Sequence, residues 1–310
     1  MSENKFRLIT RSDMDGLVCA VLLRYLDMVD DILFVHPKDM QDGLIEVTER
    51  DIITNLPYAP DAHLVFDHHA SELQRVGGAR PNYILDPHAA SAARVVYDYY
   101  GGRKAFPDIS PDMMKAVDKI DAADLTEEEI LDPQGWILLG YLMDARTGLG
   151  RFRNFRISNY QLMMDLIDYC LEKPTIDDIL SLPDVAERVE LYREHSAKFA
   201  DQIKRCTTIY GETAVLDLRG EDTIYAGNRF MIYALFPEVT VSMHVLWGRE
   251  KQNTVFAVGK SIIKRSSRAN IGKLMLEYGG GGHIAAGTCQ VANDQAEQVK
   301  DDLVKKLAQN

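Results

Sequence analysis

The chain predicts an α/β protein with two folded parts. An N-terminal doubly wound, mainly parallel sheet leads into a helical connector and then a smaller C-terminal domain with a mixed sheet. Three observations support this. Short apolar runs alternate with helix-period stretches up to about residue 125. The middle of the chain keeps a helical period. After residue 206 the period returns to that of strands.

Each element has a local reason. Phe6-Arg7-Leu8-Ile9-Thr10 is the first strand, and residues 17–28 carry apolar side chains at helical spacing. Asp31-Ile32-Leu33-Phe34-Val35 is the second strand. Residues 51–56 form the third, stopped by Pro57, which has no N–H for a ladder. His63-Leu64-Val65-Phe66 is the fourth. A helix over 89–100 begins near Pro87 and ends at Gly101-Gly102, and 113–120 continues helical. Residues 158–205 are helical with a polar break at Glu172-Lys173-Pro174. Strands then follow at 207–210, 213–218, 239–247 and 254–258, with helices at 270–278 and 295–307. The expected boundaries are 1–150, a connector over 151–205, and 206–310.

Composition narrows the class. A length of 310 residues suits two domains at about 100–200 residues each. With 46% hydrophobic and 26% charged residues the chain reads as globular. No apolar run approaches the ~18 residues of a membrane span, and the N-terminus lacks a signal-peptide layout, so a cytoplasmic protein without membrane attachment is expected. Cys19, Cys170, Cys206 and Cys289 have no metal-pair spacing and read as reduced thiols. A net charge of −12 argues against coating long nucleic acid, which needs many cations, but not against a local pocket for one small anion.

Four motifs carry candidate chemistry. Ser12-Asp13-Met14-Asp15-Gly16 follows the first strand and precedes a helix. Its carboxylates at i and i+2 can face one cation, or the first can simply cap the helix. Asp67-His68-His69 closes the fourth strand, at the end of the sheet where doubly wound folds bind ligands. Imidazole with carboxylate suits Mn²⁺, Co²⁺ or Zn²⁺. Gly279-Gly280-Gly281-Gly282-His283, followed by Ala285-Ala286-Gly287, lets backbone approach a ligand and expose N–H groups as an anion nest, with His283 as a further donor. Lys260-Ser261 and Lys264-Arg265-Ser266-Ser267-Arg268 form a basic cluster in an otherwise acidic chain, either a phosphate grip or a solvated loop.

Together these motifs resemble the DHH/DHHA1 phosphoesterase superfamily. That group includes RecJ-type exonucleases, family II inorganic pyrophosphatases, exopolyphosphatases, oligoribonucleases and cyclic-dinucleotide phosphodiesterases. The order matches over nearly the whole chain: Asp-x-Asp, then Asp-His-His, then Gly-Gly-Gly-Gly-His. The resemblance implies a metal-dependent hydrolase acting on a small phosphate ester or short phosphodiester, with Mn²⁺ as the expected ion and Mg²⁺ or Co²⁺ as alternatives. It implies that Asp13 and Asp15 hold one ion each, that His68 is a ligand and, with Asp67 and His69, belongs to the catalytic group, and that His69 sits beside the phosphate. Asp121 is the expected late ligand, with Asp118 and Asp124 as alternatives. Arg268, Gly280, Gly281, Gly282 and His283 would hold the substrate, a small phosphorylated molecule or short single-stranded oligonucleotide. Family habit implies a homodimer.

Two positions depart from the family pattern. Ile9 and Arg11 stand where many members carry a histidine, and Asn55 stands where a bridging aspartate is usual. Both fall on one metal position. His36, Asp39 and Asp42, after the second strand, are candidate replacements. The departures also motivate a second reading, a nucleotide- or phosphate-binding protein with reduced catalysis.

Overall fold

The computed structural model describes residues 5–172 and 175–308; Lys173 and Pro174 of the expected polar break, like Met1 to Asn4, lie outside them. The chain divides into two compact units, Met1–Leu125 with Pro133–Leu191, and Thr126–Asp132 with Tyr192–Asn310. Among the described residues no helix is long and apolar enough to cross a membrane.

The first unit is built on a parallel sheet. Its elements run β1 (Phe6–Arg11), α1 (Met14–Tyr25), β2 (Val29–Val35), α2 (Pro37–Gln41), β3 (Asp51–Thr54), β4 (Leu64–Asp67), α3 (Ala70–Val76), β5 (Tyr83–Leu85), α4 (Ala92–Tyr99) and α5 (Pro111–Asp121). α6 (Glu127–Leu131) belongs to the second unit, and α7 (Gly135–Met143), α8 (Asn159–Glu172) and α9 (Ile176–Leu180) return to the first. The strand order is β2-β1-β3-β4-β5, with every neighbour parallel. The expected doubly wound sheet is therefore present, and wholly parallel. This order reverses direction between β1 and β3, and such a switch point leaves a crevice at the strands' carboxyl ends.

Register explains the burial on each face. Leu33, Ile9, Ile53, Val65 and Tyr83 pair in one row across the sheet, and this face is covered by Met40, Ile45, Val47 and Tyr58. On the other face Thr54 bonds Thr10 through their hydroxyls at 2.7 Å. α1 lies near them and packs against α4, α5 and α8. Because α1 touches neighbours on several sides, every residue from Met14 to Leu23 is buried. Its run Leu17-Val18-Cys19-Ala20-Val21-Leu22-Leu23 is apolar all round, as a fully enclosed helix requires.

Within 151–205, residues 152–158 are a loop and the rest is mostly helical where described. α8 and α9 belong to the first unit, while α10 (Pro183–Cys206) runs from the first unit into the second. The second unit continues β6 (Thr207–Tyr210), β7 (Thr213–Asp217), α11 (Met231–Leu235), β8 (Val241–Trp247), β9 (Thr254–Lys260), α12 (Ile271–Leu276), β10 (Gly281–Gly282), β11 (Ala286–Val291) and α13 (Ala296–Leu307). Its six strands are ordered β10-β11-β9-β8-β7-β6, and only the β7–β8 pair is parallel, so the sheet is mixed as expected. Val241, Met243 and Val245 alternate onto one face with Phe256 and Val258, and α12 and α13 cover them with Ile271, Met275, Leu303 and Leu307. From the opposite face the Tyr233 hydroxyl donates to the Gly259 carbonyl at 2.8 Å and lies 2.7 Å from Ser242 Oγ.

Candidate metal centre

The loop after β1 resolves the two readings of its carboxylates by dividing them. Asp13 is the N-cap of α1, extended at φ −152°, and its Oδ1 accepts the Gly16 N–H at 3.0 Å. Asp15, one turn in, is 2% exposed. Gly16 permits the tight turn, because a Cβ there would sit 1.8 Å from the Arg11 carbonyl oxygen.

Asp15 is held by an element far along the chain. The first turn of α4 directs two backbone N–H groups at it: Ala92 N donates to Oδ2 at 3.0 Å and Ala93 N to Oδ1 at 2.7 Å. These amides lack partners within their own helix, and the helix dipole favours a carboxylate there. Ser91 caps the same turn and also donates to Asp118 at 2.8 Å. Asp118 is further engaged by Arg94, through Nη2 at 2.6 Å and Nε at 3.0 Å. The alternative ligand Asp118 is thus a tie between α4 and α5. Asp124 is exposed just beyond α5.

Asp67-His68-His69 turns off the end of β4. Asp67, 1% exposed, orders the motif: Oδ1 accepts the His68 N–H at 2.8 Å and lies 2.7 Å from His69 Nδ1, and Oδ2 accepts the Tyr83 hydroxyl at 3.0 Å. His68 Nδ1 lies 3.3 Å from the Ala89 carbonyl oxygen, which can only accept. That contact assigns the proton to Nδ1 and leaves the Nε2 lone pair toward Asp15 and Asp121, the usual way a second contact prepares a histidine ligand.

Asp15, His68 and Asp121 each present a ligand atom within 4.8 Å of the others. His68 Nε2 lies 2.8 Å from Asp121 Oδ2, yet this buried nitrogen makes no directional hydrogen bond. Close approach without hydrogen-bond alignment is compatible with both atoms serving as ligands of one cation. Asp121 ends α5, where the helix dipole opposes a carboxylate, so a nearby cation is also favoured on that count. Burial pushes the Asp15 carboxyl well above its ordinary range, and Asp121 adds to the shift. Burial opposes charge on His68, but Asp121, Asp15 and Asp67 outweigh it and push that ring up to about 9. A bound divalent cation would relieve this crowding of negative charge. The residues present therefore fit one ion held by nitrogen and oxygen ligands.

Other expected residues stand elsewhere. Asp13, Asp39 and Asp42 are outside the converging group. His36 caps α2, its Nδ1 accepting the Lys38 N–H at 3.1 Å, and Asp42 pairs with Lys38 at 2.8 Å. Asn55, just past β3, adopts φ +54°, a left-handed conformation Asn tolerates better than most side chains. Its Nδ2 donates to Asp13 Oδ1 at 3.3 Å, and its buried Oδ1 has no hydrogen-bond partner.

In the second unit the glycine run differs from an open nest. Gly279, Gly280 and His283 donate their N–H groups to Leu276, Met275 and Ala286 carbonyls, and Gly281-Gly282 forms β10 against β11. The glycines serve close backbone packing: a Cβ on Gly280 would meet the Thr288 oxygen at 2.0 Å. The Ile271 and Gly272 N–H groups donate to the Ile284 and His283 carbonyls, so the start of α12 adjoins the glycine–histidine turn. His283 and Arg268 are exposed or half-exposed. In the basic cluster Lys264 is committed to Glu212 at 2.7 Å and to the Glu238 carbonyl at 3.0 Å.

Sequence reasoning missed the Ala89 carbonyl, which contacts His68, and Ser91, Arg94 and Tyr83, which hold the neighbouring Asp118 and Asp67. Their only local signal was the Ser-Ala-Ala start of a helix, a capping pattern that does not name what the helix end will hold.

No family model and no curated protein matches the chain. Among solved structures, a pGpG-specific phosphodiesterase, PggH, from Vibrio cholerae is 60% identical, over 98% of this chain and 99% of that one, with a TM-score of 0.86. CDC45 from Entamoeba histolytica is 9% identical over 98% of this chain and 95% of its own, at a TM-score of 0.53. RecJ from Thermus thermophilus in complex with Mn²⁺ is 11% identical over 99% of this chain and 52% of that one, at a TM-score of 0.50. The last two share the fold alone. With a phosphodiesterase 60% identical along nearly its whole length, and with an aspartate–histidine–aspartate group gathered at the switch point of its parallel sheet, the chain belongs to the DHH/DHHA1 family of metal-dependent phosphoesterases.

Proposed function

We propose that this enzyme cleaves a short linear diribonucleotide of the pGpG kind to mononucleotides, using Mn²⁺ held by Asp15, His68 and Asp121. The single observation that carries the substrate class is the 60% identity to a pGpG-specific phosphodiesterase over 98% of the chain. The acidic balance, −12 overall, agrees with a short substrate rather than a long one. Mixed imidazole and carboxylate ligands favour Mn²⁺ over Mg²⁺. Bound there, the ion supplies Lewis-acid charge to a phosphoryl oxygen and makes a water a better nucleophile.

The chain's own residues divide the remaining work. Ala92 and Ala93 amides keep Asp15 in place. The Ala89 carbonyl keeps the proton of His68 on Nδ1. Asp67 orients His69 through Nδ1, setting the ring to hold or move a proton at the phosphate. Arg268 and His283, both in the second unit and open to solvent, are the proposed substrate-binding groups, beside the packed glycines 280–282. In this division the first unit carries catalysis and the second carries binding.

The test is Mn²⁺-dependent nucleotide release from pGpG, with pApA, a triribonucleotide and a long single strand alongside. Expected is fastest turnover of pGpG, abolished in His68→Ala. Faster turnover of the long strand would sink the proposal. Tight pGpG binding without hydrolysis would instead support the second reading, a binding protein with reduced catalysis, which the neutral Asn55 favours.

A further inference from the structure

We propose that the centre holds one divalent ion rather than a pair, and that the Arg11 guanidinium supplies the second positive charge by neutralising Asp13. The proposal rests on Asp15, His68 and Asp121 being the ligands of that ion.

Asp13 is only two residues from Asp15, yet its carboxylate is already engaged on both oxygens. Oδ2 pairs with Arg11 Nε at 2.9 Å. Oδ1 accepts from Gly16 N at 3.0 Å and from Asn55 Nδ2 at 3.3 Å. Two hydrogen bonds and one ion pair therefore hold Asp13, from its own loop and from Asn55 beyond β3.

The Asn55 amide is consistent with this and not with an ion at Asp13. Turned over, its oxygen would face the Asp13 carboxylate and repel it, so the donating NH₂ belongs there. An ion on Asp13 would need that amide reversed and would sit beside a guanidinium of its own sign. A neutral amide also cannot share an anionic oxygen between two cations.

Local structure keeps Arg11 at this post. It is the last residue of β1, in register with Val35. The start of α1 is pressed against its carbonyl, with no room for a side chain at position 16. The guanidinium therefore cannot leave as a loosely bound ion would, and the centre depends on the concentration of one ion only.

Metal content of the purified holoenzyme, counted by mass spectrometry alongside electron paramagnetic resonance of Mn²⁺, tests this. Expected is one tightly held Mn²⁺ per chain with the spectrum of an isolated ion. It should be retained in Asp13→Asn and lost in Asp121→Asn. The double variant Arg11→Ala with Asn55→Asp should take up a second Mn²⁺, spin-coupled to the first. Two tight ions or a coupled pair in the wild type would overturn the proposal, as would loss of the ion in Asp13→Asn. A double variant that still holds one ion would overturn the part given to Arg11. A wild type that holds none would instead remove the metal-centre reading beneath it.

Discussion

At His68 the two ring nitrogens receive different tasks from their neighbours. A backbone carbonyl claims Nδ1, and two carboxylates face Nε2. The ring's pKa is pushed up to about 9, above its ordinary 6.5. In the ion-free protein this charge stabilises the fold fully below about pH 6.5, and the contribution is lost as pH rises through about 9. A divalent ion needs the neutral ring, so Mn²⁺ must expel a proton, and its affinity should strengthen as pH rises toward 9. Calorimetry at neutral pH in two buffers of unlike ionisation heat should show proton release on Mn²⁺ binding. Binding heats that do not depend on the buffer would contradict it. The Asp-His-His motif was legible at this scale in the sequence. What holds the His68 ring toward the carboxylates was not, because it is the Ala89 carbonyl, 21 residues away.

Among elements, the junction of α4 and α5 sets the shape of the centre. Asp118 joins them through Arg94 and Ser91, while Asp121, one turn on, faces His68. The family resemblance offered Asp118, Asp121 and Asp124 with Asp121 preferred, and packing shows what Asp118 does instead. Asp118→Ala should cost about 1–3 kcal/mol of stability, since it strands a guanidinium and a hydroxyl. The variant should keep its Mn²⁺. Urea unfolding with metal counting checks both, and loss of the ion at unchanged stability would show that Asp118 is a ligand after all. Gly16→Ala should be destabilised by about 1–3 kcal/mol from crowding against the Arg11 carbonyl; a melting temperature equal to wild type would disprove it. Some elements escaped the sequence reading. α7 is so evenly apolar that neither period shows, and it packs against α5 and α9. β5 has three residues, and β11, Ala-Gly-Thr-Cys-Gln-Val, has small and polar side chains whose strand state comes from pairing with β9.

For the molecule as a whole, the three groups that could hold an ion, Asp15, His68 and Asp121, all come from the first compact unit. An ion that binds the folded state alone stabilises it by mass action, about 2.7 kcal/mol at a hundredfold excess over Kd. Mn²⁺ should therefore slow hydrogen exchange in β1, α1, β4, α4 and α5, and leave the β6–β11 sheet unchanged. Exchange measured by mass spectrometry with and without the ion decides this; protection confined to the second unit would place the ion elsewhere.

By itself the sequence determined the fold class, the order of both sheets' main strands along the chain, and the family, because hydrophobic period and short motifs are local properties. It also showed that Asn55 and Arg11 were unusual for that family. The tertiary structure alone decided that Asp13 caps a helix while Asp15 faces His68 and Asp121, that Asp118 ties α4 to α5, and that Gly281-Gly282 pair with β11 as a short strand. Those outcomes depend on which donors arrive from distant segments, and a carboxylate's role is set by whichever partner reaches it once the chain has folded.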